Sequence, residues 1–166
     1  MSTRSIVEMS LARLTAMLCL AVAIDSATAA PARVEAFNAQ SWQALQTGLK
    51  TPAIVVFSTT DCAHCPAVLS QLAQSPLRRR IKAPLIAVVM DLAPGEADAD
   101  LLGNAHYQLA DRLMAFDGQA PALRYSVNKS WRGVTPYLLL FKPGAPPQWV
   151  TGPPTDAQLL RWVKAE

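Results

Sequence analysis

The chain has 166 residues, 51% hydrophobic and 16% charged, with a formal charge of +3. That length suits one domain, or one domain plus a processed segment, and the apolar half excludes wholesale disorder. So mild a charge gives no reason to expect a nucleic-acid partner, and three cysteines are too few for a disulfide-scaffolded miniprotein.

Residues 1–13 are polar and carry Arg4 and Arg13, residues 14–24 are almost continuously apolar, and residues 25–30 are small and polar. A basic start, a short apolar run and an Ala27-Thr28-Ala29 cleavage pattern make a secretory signal peptide over residues 1–29. The apolar run is short of the roughly 20 residues that span a bilayer; an uncleaved membrane anchor is the alternative. The expected location is therefore the periplasm. Removing residues 1–29 takes away Arg4, Arg13, Glu8 and Asp25, which leaves the charge at +3 and the cysteines at two, Cys62 and Cys65. The remainder, residues 30–166, reads as one domain.

Asn38 or Ser41 caps a helix with Trp42, Leu45 and Leu49 on one face, ending before Pro52. Ala53-Ile54-Val55-Val56-Phe57 is a wholly apolar, β-rich run, as expected of a strand covered on both faces. Thr59-Thr60-Asp61 are N-cap types, and a helix from about Cys62 turns Val68, Leu69, Leu72 and Ala73 inward until Pro76. Arg78, Arg79, Arg80 and Lys82 follow as a solvated basic surface, with docking of an acidic partner as the alternative. Residues 85–90 form a second buried strand, closed by Asp91 and Pro94-Gly95. Leu102, Ala105, Leu109, Leu113 and Phe116 recur near helical spacing, so residues 95–125 are expected to be a helical insertion. Residues 137–141 make a third strand, Pro143-Gly144 a turn, and Gln148-Trp149-Val150 a fourth strand. Thr155 and Gln158 form a capping box for a last helix carrying Leu159, Leu160 and Val163. The order α-β-α-β-α-β-β-α implies a central mixed β-sheet flanked by helices, an α/β fold.

Cys62-Ala63-His64-Cys65 lies at a strand-to-helix junction. Unpaired N–H groups and the helix dipole at a helix N-terminus stabilise a thiolate, and the thiolate is the attacking species. Cys62, nearest the open helix end, is the candidate nucleophile and Cys65 the resolving thiol. A protonated His64 beside the thiolate favours the reduced pair, which makes the disulfide more oxidising. The pair alone also admits a structural disulfide or part of a zinc site with His64 and His106.

At this point the chain resembles the thioredoxin superfamily over about residues 52–166. The likeness rests on the apolar strand running into Cys62-Ala63-His64-Cys65-Pro66, on Val88-Val89-Met90-Asp91 with Pro94-Gly95, and on Arg132-Gly133-Val134-Thr135-Pro136 with the strand and glycine turn that follow. A short strand and terminal helix complete it. The resemblance implies a thioredoxin-like fold with Pro136 cis and facing the cysteines, and Thr135 offering backbone groups to a bound chain; a trans strand start is the alternative. It implies a protein thiol–disulfide oxidoreductase with no cofactor beyond the Cys62–Cys65 disulfide. Its partners would be client proteins with cysteines and a redox partner protein, and the chain itself a monomer. A non-catalytic interaction module is the competing reading, and a metal carrier the third. Departures are Val56, where thioredoxin has a buried acid, and Asp61 in place of a tryptophan. The Ala63-His64 spacer is closer to that of DsbA-type oxidases, and Thr135 is similar to the residue of DsbC-type isomerases.

Overall fold

The computed structural model describes residues 30–164; the leader expected over residues 1–29 lies outside them. Strands β1 (Val34–Phe37), β2 (Ala53–Ser58), β3 (Leu85–Val89), β4 (Arg112–Phe116), β5 (Tyr137–Phe141) and β6 (Gln148–Thr151) form one sheet in the order β1-β4-β3-β2-β5-β6. The first four in that order are parallel, β5 runs antiparallel to β2, and β6 antiparallel to β5. The central mixed sheet flanked by helices, expected from the sequence, is what forms.

Side-chain alternation along β2 divides the core. Ile54 and Val56 join a cluster with Val68, Leu69, Leu72, Tyr107, Leu159 and Trp162 on one face. Val55 and Phe57 join Trp42, Leu45, Leu123, Val127 and Trp131 on the other. Helices α2 (Cys65–Gln74) and α6 (Asp156–Lys164) therefore cover the first face, and α1 (Ala39–Gly48) and α5 (Ala120–Val127) the second. Burial of both faces is why β2 and β3 carry no polar side chain except Ser58, the last residue of β2.

Local caps follow the sequence. Asn38 and Ser41 satisfy each other's backbone N–H groups at 3.0 and 2.8 Å, so Asn38 is the cap and Ser41 its reciprocal partner. The Thr155–Gln158 box closes the start of α6, with Thr155 N–H donating to Gln158 at 2.8 Å.

Two expectations need correction. The stretch read as one helix contains the short helix α4 (Asp98–Gly103), a 3-10 turn (Tyr107–Leu109) and strand β4. Leu113 faces one core and Met114 the other, a period of two that parallel pairing with β1 and β3 enforces. The helical spacing of Leu109, Leu113 and Phe116 is coincidental. The basic run is also not uniformly solvated. Within α3 (Pro76–Arg80) Arg78 is 6% exposed, and its Nη2 donates to Asp111 Oδ2 at 2.6 Å. The same Asp111 oxygen accepts from Leu85 N–H at 2.6 Å, joining α3 to the starts of β3 and β4.

Candidate active site

The site forms where β2 ends and the chain turns into α2. Leaving β2 at Ser58, it makes two tight turns: Cys62 N–H donates to Thr59 O, and Cys65 N–H to Cys62 O, each at 3.2 Å. The helix starts at Cys65, later than the sequence suggested. His64 occupies the cap position (φ −96°, ψ −16°) without a side-chain capping bond, and Pro66 stands in the first turn, where the missing N–H is no loss. Cys62 thus sits in the turn before the helix, half-buried, and Cys65 is fully buried on it. The two are joined by a disulfide with a Cα–Cα separation of 5.4 Å. His64 and Asp61 are exposed.

Asp61 is not the residue that secures this turn. Asp91, just past β3, accepts from Thr60 N–H at 2.9 and 3.1 Å and from Thr60 Oγ1 at 2.5 Å. Its carboxylate therefore ties the chain two residues before Cys62 to the neighbouring strand.

The second tie comes from the opposite side. Antiparallel pairing sets Phe57 against Tyr137, so the residues beyond them, Ser58-Thr59 and Thr135-Pro136, are brought together at the same sheet end. Thr59 Oγ1 and Thr135 Oγ1 lie 3.4 Å apart. The Thr135–Pro136 peptide is cis, and the Pro136 carbonyl accepts from Gly152 N–H at 2.8 Å. The resemblance implied that Pro136 faces the cysteines; the register brings Thr135 to Thr59, three residues before Cys62.

Trp131 was missed. Its Nε1 donates to Val134 O at 3.0 Å, and its ring stacks on Tyr137 at 4.5 Å and packs against Phe57 at 5.0 Å. Tyr137 in turn stacks on Trp149 and accepts from Asn128 Nδ2 at 2.8 Å. This aromatic stack fixes the loop ahead of Pro136 from below, leaving Val134 57% exposed beside it. Burial pushes the Tyr137 phenol above its ordinary pKa.

Under the turn, Val56 is wholly apolar in its surroundings. One residue pair on, Ser58 and Tyr107 form a buried hydroxyl–hydroxyl contact of 3.2 Å, and Ser58 Oγ also lies 3.2 Å from Thr59 O. Burial raises the Tyr107 pKa, and the nearby Asp91 charge adds to it. No sequence signal singled out Tyr107, because its segment reads as helix. His106 packs on the Tyr107 ring at 4.0 Å, and burial lowers its pKa. Among the described residues no group of three or more His, Cys, Asp and Glu side chains could hold a metal ion, and no helix is long and apolar enough to cross a membrane.

No protein-family model matches the chain, nor does any curated protein. Among solved structures, it is similar to a secreted disulfide oxidoreductase of Mycobacterium tuberculosis described as homologous to DsbE of E. coli. That match has 18% identity and a TM-score of 0.47, and covers 70% of this chain and 82% of the other. Chloroplastic thioredoxin z matches at 14% identity and a TM-score of 0.44, over 79% of this chain and 91% of the other.

Proposed function

We propose that this protein is an exported thiol–disulfide oxidoreductase that exchanges disulfides with cysteines of client proteins. The observation that carries the reading is the asymmetry of the bonded pair. Cys62 is half-buried in a turn ahead of a helix N-terminus, a turn whose Thr59 touches Thr135, while Cys65 is fully buried on the helix.

In the reducing direction the Cys62 thiolate attacks one sulfur of a client disulfide. A Cys62–client bond forms and the client's other sulfur leaves as thiolate. Cys65, deprotonated, then attacks the Cys62 sulfur, re-forming the Cys62–Cys65 bond and releasing the second client thiolate. Two electrons pass to the client, and the reverse sequence oxidises it. Burial protects Cys65 from clients, so the first attack falls to Cys62. The helix dipole of α2 stabilises the Cys62 thiolate, and a protonated His64 adds to it. The loop at Thr135 supplies backbone beside the cysteines on which an extended client segment can lie. Export to the periplasm rests on the leader read in residues 1–29. A redox partner protein resets the pair after each cycle, and the domain acts as a monomer.

Substitution separates the roles. Cys65→Ser should accumulate disulfide-linked client adducts through Cys62, and Cys62→Ser should form none and lose exchange activity. Adducts through Cys65 in the Cys62→Ser protein would overturn the assignment. A pair that resists mild reductant and shows no thiol of depressed pKa would identify a non-catalytic interaction module instead.

A further inference from the structure

Charge in this domain is sorted by sheet end. Because β1, β4, β3 and β2 are parallel, the segments that follow them share the end that carries Cys62. Asp61, Asp91, Glu96, Asp98 and Asp117 lie in those segments. The segments that precede the strands share the opposite end, and they are basic. Arg33 leads into β1, Lys50 precedes β2, and Arg79, Arg80 and Lys82 precede β3. Helix α6 returns to this end, where Trp162 Nε1 donates to Phe141 O at 3.0 Å, and brings Lys164 with it. All six bases are exposed. The two described acids at this end are already engaged, Glu35 by Arg112 at 2.7 Å and Asp111 by Arg78 at 2.6 Å. The positive charge of the six is therefore not offset locally.

We propose that this basic end docks the protein on an anionic lipid bilayer, with the cysteine end turned toward solvent. Six long side chains spread over four separate segments suit a diffuse sheet of lipid phosphates, which needs no pocket and no buried aromatic anchor. The cysteine end carries those five acids against Lys129 and Arg132, both exposed in the loop that precedes the antiparallel β5, so its balance is acidic and disfavours the alternative orientation. The described chain also enters the domain at the basic end, through Arg33.

The test is sedimentation of the purified protein with vesicles of mixed phosphatidylglycerol and phosphatidylcholine, against vesicles of phosphatidylcholine alone. Binding is expected to the anionic vesicles only, and to fall steeply when salt rises from about 0.05 to about 0.5 M and screening shortens to roughly 4 Å. The triple variant Lys50→Glu, Arg80→Glu, Lys164→Glu should weaken binding more than about a hundredfold, since each basic residue at such a surface contributes roughly fivefold. Glu96→Lys, in the segment after β3 at the cysteine end, should leave binding unchanged, which reports the orientation. Circular dichroism checks that the triple variant folds, and the salt series on the native protein decides the matter if it does not. Equal binding to both vesicle types, salt-independent binding, or a folded triple variant that binds as the native protein does would overturn the proposal. So would retention on an immobilised acidic protein without vesicle binding, which would assign the basic end to a protein partner.

Discussion

Asp91 is the sharpest test of how the cysteine turn is held. Its carboxylate receives one N–H and one O–H from Thr60, and the turn it secures has few other long-range ties: Thr59 to Thr135 on one side and the backbone of β2 on the other. Hydrogen bonds to a charged acceptor are worth about 1.5–3 kcal/mol each when shielded. Asp91 is exposed, so the pair together should contribute about 1.5–3 kcal/mol rather than twice that. Asp91→Ala removes both bonds; Asp91→Asn keeps an acceptor for the Thr60 N–H and loses the charge. Urea unfolding with an unchanged slope should therefore show Ala down by about 1.5–3 kcal/mol and Asn by roughly half as much. The loosened turn should also slow exchange with a client more in the Ala than in the Asn variant, because Cys62 is two residues from the anchor. An Ala variant within about 0.5 kcal/mol of the native protein, with unchanged exchange, would refute the claim that Asp91 holds the turn.

Asp111→Ala should cost about 3–5 kcal/mol, read as a shift in urea midpoint, because it removes the one oxygen that serves both the buried Arg78 guanidinium and Leu85 N–H. Arg78 Nε already lacks a partner, so no second acceptor compensates. Glu35 should give a small, pH-gated effect. The Arg112 hydrogen bonds hold its carboxyl below the ordinary 4.5, so its stabilisation is complete above about that pH and is lost as pH falls through the lowered folded value. Glu35→Gln should thus cost under about 1 kcal/mol at neutral pH, with the difference vanishing in acid-titration curves well below pH 4.5. His64→Ala should make the pair less oxidising against a glutathione buffer, each 30 mV corresponding to about 1.4 kcal/mol; an unchanged potential would show that the imidazole does not set the poise.

The parts of the fold legible in the sequence are those where one physical signal dominates. Residues 53–57 and 85–89 are apolar on both faces, which only a covered strand explains, and the caps at Asn38 and Thr155 carry their partners three residues away. β1 and β4 were not legible for a different reason. β1 is a four-residue edge strand containing Glu35, and β4 is preceded by two apolar residues, Leu109 and Ala110, that extend a helical phase into it by accident. Nothing local marks Arg112–Phe116 as a strand; its identity comes from β3, whose free edge needs a partner for its backbone N–H and C=O groups. The same division runs through the site. Cys62, His64 and Cys65 announce themselves by spacing, and Thr135-Pro136 by resemblance. Asp91, Trp131 and Tyr107 act across 31, 3 and 49 residues of sequence, and two of those three distances are beyond any local pattern.

The later start of α2 has a chemical consequence. Starting it at Cys65 leaves Cys62 in a turn held from two directions, by Asp91 through Thr60 and by Thr135 through Thr59. Cys62 is tethered through those two anchors, while Cys65 lies on the packed face that also carries Val68, Leu69 and Leu72. Functional groups placed on loops but tethered to rigid strands combine access with position. The exposed Val134, braced from behind by Trp131, extends that surface away from the cysteines on the β5 side. The rim of the Cys62 turn is therefore lopsided, with the exposed Val134 and the Thr135 loop on the side held through Thr59 and the Asp91 carboxylate on the side held through Thr60.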